Sequence, residues 1–361
     1  MTAAERRGRG APPALLPASG VALHDPGVTR RLAYRRYRLP FRDALRTAHG
    51  PWQERKGLLV RVENAAGRPG FGEVAPLPEF GTETLAEAET ALAGLGRVVD
   101  DATLAKVPER LGGVRFALAS ALAAETVDPP GAARLAVARL LPAGRSAFAV
   151  ADRAAAEGFV AFKWKVGVAR LEDELAILDD LLARLPGGAR LRLDANGAWT
   201  SRQAGRWLER CADRPIEFIE QPVAPGNDDT LRGLAADFPT PLALDESVTG
   251  LASLRRWLDR GWSGVVVVKP ALAGAPADVL VLLEARRADV VFSSAFETAV
   301  GRRAALEMAL RHRSRQPARA LGFGAGPLFG DTRFDGPAVT PFVSGDEIKR
   351  IDPEAAWNAL T

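Results

Sequence analysis

The chain has 361 residues, a formal net charge of +4, 47% hydrophobic residues and a single cysteine, Cys211. That length accommodates a barrel plus a small second domain, and the lone cysteine rules out an internal disulfide and suits a reducing, cytoplasmic compartment. No uncharged apolar run reaches the ~18 residues that a membrane helix needs, so no membrane partner is expected, and the mild positive balance suits a small anionic substrate better than a nucleic acid.

Residues 1–29 are rich in Ala, Pro, Gly and Arg and lack a continuous apolar core, which predicts a disordered tail rather than a signal peptide. Residues 30–130 read as an α+β cap. Three strand-like runs, 32–41, 57–64 and 70–77, precede two helical patterns at 84–95 and 108–125. From LAVARLL at 135 an alternation of strand and helix continues to about 324, which predicts a (β/α) barrel of the TIM type over 131–327. The Gly- and Pro-rich remainder, 328–361, is expected to return to the cap. Composition leaves the oligomeric state open.

Only six of the 48 basic residues are lysines, yet three of these sit at the ends of apolar, strand-like runs. FVAFKWKVG carries Lys163 and Lys165, and GVVVVKP carries Lys269. The pKa of lysine shifts readily on burial whereas arginine stays protonated, so lysines retained there point to acid–base work. Asp194, Glu220 and Asp245 end the intervening strand-like runs, at spacings of 29, 26, 25 and 24 residues from Lys165 through to Lys269. One βα unit fills about 25 residues, so these charges recur at the C-terminal ends of consecutive strands, where a barrel places its active site. Three carboxylates brought together need a cation, and hard oxygen donors without His or Cys favour Mg²⁺ over zinc. Asp194, Glu220 and Asp245 are therefore the candidate metal ligands. Lys163 and Lys165 share one face of a strand, and with the metal close by the pKa of either one is expected to be lowered.

The series KxK, D-x-N, E-Q-P, D-E-S and K-P resembles the metal and base signature of the enolase superfamily. GFGEVAPLPEF at 70–80, RTAHGPWQERKGLLV at 46–60 and FSSAFETAVGRRAAL at 292–306 resemble segments of the o-succinylbenzoate synthases within it, in the subgroup that includes muconate-lactonizing enzymes. The similarity spans about residues 31–330. It implies a modified barrel closed by a cap built from both chain ends. It also implies a Mg²⁺-dependent hydro-lyase, with Mn²⁺ able to substitute, that dehydrates 2-succinyl-6-hydroxy-2,4-cyclohexadiene-1-carboxylate to 2-succinylbenzoate on the way to menaquinone or phylloquinone. By the same resemblance Lys165 is the base, Lys163 tunes it, and Lys269 is a cation on the opposite face. The alternative within the superfamily is an N-succinylamino acid racemase or dipeptide epimerase, in which Lys165 and Lys269 would both be bases. Dipeptide epimerases carry D-x-D after the last barrel strand, which GFGAGPL at 322–328 lacks.

The substrate contacts expected are Arg192, two residues before Asp194 on the same strand face, with an ion pair as its equal alternative; Asn196; the hydroxyls of Ser293 and Ser294, with helix capping as theirs; and the backbone at Gly322 and Gly324. The two glycines are expected to let amides approach a substrate carboxylate. Trp164, between the two lysines, faces away and packs between barrel and helix.

Overall fold

The computed structural model describes residues 29–47, 50–123, 133–312 and 319–360. The expected tail up to residue 28, the junction at 130/131 and residue 361 lie outside the described residues. Among those described, no helix is long and apolar enough to cross a membrane.

The cap is a four-stranded antiparallel sheet. Two long strands, β1 (Arg30–Thr47) and β2 (Gly50–Glu63), pair along their length, with β3 (Pro69–Val74) beside β2 and the short β4 (Val98–Val99) beside β1. Three helices complete it: α1 (Leu85–Gly94), α2 (Asp101–Lys106) and α3 (Gly112–Ala123). The period-2 alternation of β2 explains its burial on both sides. Leu58, Val60 and Val62 pack on Ala88, Leu92, Val114 and Leu118, whereas Leu59 joins Tyr37, Phe329, Phe334 and Trp357. The sequence reading lacked β4 and α2; Asp100 starts α2 by accepting from the amide of Thr103, a cap too local to stand out beside the apolar runs.

The barrel alternates strand and helix in the order β5 (Arg134–Ala136), β6 (Arg139–Leu141), α4 (Ser146–Ala156), β7 (Ala161–Lys165), α5 (Leu171–Leu182), β8 (Arg190–Asp194), α6 (Ser201–Cys211), β9 (Ile216–Glu220) and α7 (Asp228–Asp237). It continues with β10 (Leu242–Leu244), α8 (Leu251–Asp259), β11 (Val265–Val268), α9 (Pro270–Ala273), α10 (Pro276–Ala285), β12 (Asp289–Phe292) and α11 (Ala299–Arg311). Strands β6 to β12 form one seven-stranded parallel sheet in sequence order. Leu321 bridges Val137 and Gly322 bridges Ser293, so residues 321–322 close the sheet into a barrel. Alternation again sets the faces: Val265 and Val267 join Phe218, Ala243 and Val291 inside, while Val266 and Val268 belong to the layer between sheet and helices. Trp164 lies in that outer layer, its ring edge-on to Trp207 of α6.

The C-terminal stretch holds β13 (Phe342–Ser344), α12 (Gly345–Lys349) and α13 (Pro353–Asn358). Its return to the cap is partial. Phe329 bridges Phe41 and Trp357 lies 4.4 Å from the Arg35 guanidinium, but β13 pairs with β5 of the barrel. Two buried charges tie cap to barrel. Glu73 of β3 accepts from the amides of Thr298 (2.9 Å) and Gly301 (2.8 Å) at the start of α11, satisfying helix donors from another domain. Arg55 of β2 donates to the carbonyls of Pro76 (2.8 Å) and Phe296 (3.2 Å), joining the cap loop to the segment after β12.

Candidate active site

The register of the parallel strands builds the site. Lys165 pairs with Asp194 and Asp194 with Glu220, so three charged residues form one layer across β7, β8 and β9. Asp245 follows β10 and Lys269 follows β11, both on inward-facing positions. The Lys163 ammonium donates to Glu220 Oε1 at 2.7 Å and lies 2.9 Å from Asp194 Oδ2. The Lys269 ammonium bonds Asp245 and sits 5.1 Å from the centre of the Phe80 ring. Lys165 donates to the side-chain carbonyl of Asn196, whose amide in turn donates to Glu246 Oε1 at 3.1 Å. Asn196 holds this pose with a left-handed backbone, φ 45°, supported by its amide on Asp194 Oδ1.

Charge balance in this cluster is dominated by burial and by the carboxylates. Burial opposes a charge on Lys163, but Asp194, Glu220 and Asp245 outweigh it and hold the ammonium above the usual lysine range. Lys269 is raised in the same way by Asp245 and Glu246 against its burial. At Lys163 the direction is therefore opposite to the lowering expected beside a bound cation. The surplus of negative charge falls on the acids. Burial, with Asp194 and Asp245, pushes the Glu220 carboxyl up to about 8, and burial with Asp245 pushes Glu246 up to about 7.

Such a cluster fits a hard divalent cation by the chemistry of its donors. All are carboxylate oxygens, and the raised Glu220 and Glu246 mark negative charge that the lysines leave unbalanced. As placed, no three acidic side chains among the described residues surround one point. Lys163 stands between Asp194 and Glu220, and Lys269 against Asp245, in the positions where positive charge is demanded.

The charged layer floors a cavity of about 150 Å³. Its walls are the aromatic rings of Trp52 and Phe80 from the cap and Phe296 from the segment after β12, with Leu140 and Ala325 between them. Trp52 meets Phe296 edge-on at 6.1 Å. Lys163, Lys165, Lys269, Asp194, Asp245, Asn196, Ser293, Ser294, Gly322 and Gly324 all line it. Glu220 sits just behind Lys163, 2% exposed. Neither serine caps a helix: Thr298 caps α11, while Ser293 Oγ donates to the carbonyl of Gly322 and Ser294 Oγ to Glu297.

Two expectations are corrected. Arg192 does not reach the cavity. It lies one layer below Asp194, 1% exposed, with Nε 2.7 Å from Glu217 Oε2 and its guanidinium over the ring of Phe218. Leu191 pairs with Ile216 but Arg192 with Phe218, so Glu217 is the extra residue of a bulge that turns it toward Arg192. Gly322 serves strand packing rather than amide exposure, whereas Gly324 lies against the chain before β6 and still lines the cavity. The Gly322 amide already donates to Phe292 O, and a Cβ at Gly324 would lie 1.9 Å from the carbonyl oxygen of Ala138.

Burial opposes charge on Glu217, yet Arg192 and Arg319 hold its carboxyl below the usual carboxylate range. A depressed folded pKa gives stability that is full above the unfolded value of ~4.3 and is lost as pH falls through the folded value. The wild-type chain is therefore expected to exceed Glu217→Gln by ~3 kcal/mol at pH 7, with the gap closing below pH ~4 in denaturant unfolding. A gap that does not change with pH contradicts this assignment.

Glu246, Phe80, Trp52, Phe296 and Gln221 were not singled out as site residues from sequence. Glu246 had a visible signal as the acid next to Asp245 in D-E-S; the aromatic rings had none, because their convergence depends on how the cap sits on the barrel.

The chain matches the family model for the MenC N-terminal domain over residues 29–125 and that for the enolase C-terminal domain-like family over residues 146–326. It is 41% identical over 302 residues to an o-succinylbenzoate synthase of Thermosynechococcus vestitus, covering 81% of this chain and 92% of that protein. The crystal structure of the o-succinylbenzoate synthase from Thermosynechococcus elongatus BP-1, complexed with Mg in its active site, superposes with a TM-score of 0.81 at 36% identity, covering 91% of this chain and 100% of that one. The L-Ala-D/L-Glu epimerase of Bacillus subtilis, at 22% identity and TM-score 0.75 over 87% of this chain and 95% of that one, shares the fold.

Proposed function

We infer the chemistry of this site from the premise that the chain belongs to the o-succinylbenzoate synthase family of the enolase superfamily and acts as a hydro-lyase forming o-succinylbenzoate. The substrate we propose is 2-succinyl-6-hydroxy-2,4-cyclohexadiene-1-carboxylate, in a quinone pathway and a cytoplasmic setting. Asp194, Glu220 and Asp245 would hold Mg²⁺, and Mn²⁺ is expected to substitute. When bound, the ion supplies positive charge against the charge developing on the substrate carboxylate.

The remaining work falls to side chains of this chain. Lys165, as a neutral amine, takes the proton from the carbon alpha to the ring carboxylate. The electron pair left by that C–H bond forms the new ring double bond, the C–O bond to the 6-hydroxyl breaks, and the Lys165 ammonium returns its proton to the departing hydroxyl as water. One residue thus serves as base and then acid, and the ring leaves aromatic. Asn196 fixes the Lys165 amine through its carbonyl. Lys163 bridges Asp194 and Glu220 and holds both side chains in place. Lys269, on the sixth strand of the barrel, faces Lys165 on the second and presents a fixed cation held by Asp245 and Phe80. Trp52, Phe80 and Phe296 give the ring and the succinyl methylenes an apolar enclosure that keeps bulk water from the reacting carbons. Ser293 and Ser294 line the same cavity, where turning either hydroxyl away from its present acceptor would offer it to a substrate carboxylate.

The observation that carries this reading is the pairing of Lys165 with Asn196 on one side of the cavity and of Lys269 with Asp245 on the other. The experiment that tests it assays purified protein in parallel on the cyclohexadiene substrate and on both enantiomers of an N-succinylamino acid. Dehydration is expected to dominate; faster α-proton exchange from both enantiomers, with much weaker dehydration, would replace the synthase reading with a racemase.

A further inference from the structure

Gln221 follows Glu220 directly, is not among the residues lining the cavity above and is completely buried. Its backbone is left-handed, φ 38°, a region that a non-glycine residue occupies only where its surroundings hold it. The surroundings do so at six points. Its amide donates to Ala243 O at 2.8 Å, on the strand that leads to Asp245, and its carbonyl accepts from the amide of Gly197 at 2.7 Å, in the turn that follows Asp194. Its side-chain Oε1 accepts from the amides of Asp245 (3.0 Å) and Ser247 (3.1 Å). Its Nε2 donates to Val223 O (2.9 Å) and Ser247 Oγ (2.9 Å). The side-chain orientation follows from these partners, since turning the amide over would set oxygen against a carbonyl and nitrogen against two N–H groups.

These contacts reach the chain beside all three carboxylates. One bond ends in the turn after Asp194, the peptide itself continues from Glu220, and the side chain grips the backbone nitrogen of Asp245. We propose that Gln221 is the positioning residue that sets the spacing of Asp194, Glu220 and Asp245, and so the affinity of the site for a divalent cation. The proposal rests on the reading of those three residues as metal ligands. Its physical basis is that strand ends are where a parallel sheet stops restraining the chain. Ladder pairing fixes Asp194 and Glu220 relative to one another, but Asp245 lies one residue beyond β10 and its amide is held by Gln221. A buried, fully bonded amide supplies that missing restraint without adding charge to a cluster already rich in it.

The test is calorimetric titration of the purified full chain with Mg²⁺ alone, alongside steady-state kinetics at varied Mg²⁺. Gln221→Met keeps the volume and removes all four side-chain bonds. It is expected to weaken Mg²⁺ binding ~10–100-fold, as loss of an outer partner of metal ligands does, while kcat at saturating Mg²⁺ returns close to the wild-type value. Ser247→Ala, which touches no carboxylate, removes one of the four bonds and is expected to weaken Mg²⁺ binding ~5-fold. A residue serving only to stabilise the fold would lower the melting temperature and leave the Mg²⁺ affinity of the folded protein unchanged. Wild-type affinity in folded Gln221→Met overturns the proposal. If that variant does not fold, wild-type affinity in Ser247→Ala overturns it. Asp245→Asn is the control for the underlying reading: wild-type Mg²⁺ affinity there removes the metal site itself, whereas lost affinity there beside unchanged affinity in both other variants removes only the role of Gln221.

Discussion

Asp245→Asn is expected to lose at least ~10²-fold in turnover while the barrel stays folded, and excess chelator is expected to abolish the activity of the wild type until Mg²⁺ or Mn²⁺ is restored. The substitution changes one oxygen for an NH₂ group and leaves the shape of the strand end intact. What it removes is charge. Asp245 carries the bond from the Lys269 ammonium and contributes to the field that raises the Glu220 carboxyl to about 8. In the variant, the buried Lys269 ammonium is left with Glu246 and Glu220 as its charge partners, and the oxygen donors proposed for the cation fall from three carboxylates to two. Circular dichroism and thermal melts check the fold, and turnover with and without chelator checks the site. Full activity in excess chelator contradicts the metal assignment.

The chemistry of the site was legible from sequence because it is local to strand ends. A charge after an apolar run, repeated once per βα unit, needs no knowledge of packing to be placed on the barrel's C-terminal face. At Arg192 the same logic left a substrate contact and an ion pair open, and the structure shows the ion pair, with Glu217. Alternation correctly puts residue 192 on the face of Asp194, but not in the same layer, and the bulge at Glu217 that gives it a partner leaves no mark in the apolar pattern. At the lysines, adjacency in sequence showed two positive charges, whereas the fold also brings three carboxylates from three other strands around Lys163. Gly322 was read as an opening for a ligand, yet its amide is taken by Phe292 O and Ser293 lies against it. The cap supplied the least legible part. Glu73 and Arg55 act across 225 and 241 residues, and the rings of Trp52, Phe80 and Phe296 meet only once those contacts have seated the cap. The restraint by Gln221 is hidden for the opposite reason. It spans neighbouring loops, and although Gln221 stands in the E-Q-P motif, its neutral amide carries no charge to suggest what it holds.

The central claim is that one lysine carries both proton transfers and the other contributes charge alone. The most direct measurement compares Lys165→Ala, Lys165→Arg and Lys269→Arg on the cyclohexadiene substrate, with Mg²⁺ affinity measured for each. Removing a general base costs ~10²–10⁴-fold, and arginine cannot take its place because it does not surrender its proton near neutral pH. Both Lys165 variants are therefore expected to fall by at least ~10²-fold with Mg²⁺ binding intact. Lys269→Arg keeps a cation beside Asp245 and under the Phe80 ring, and is expected to retain part of the dehydration rate although its planar fork is bulkier. If Lys269→Arg and Lys165→Arg are equally inactive while both bind Mg²⁺ as the wild type does, the one-base account is contradicted.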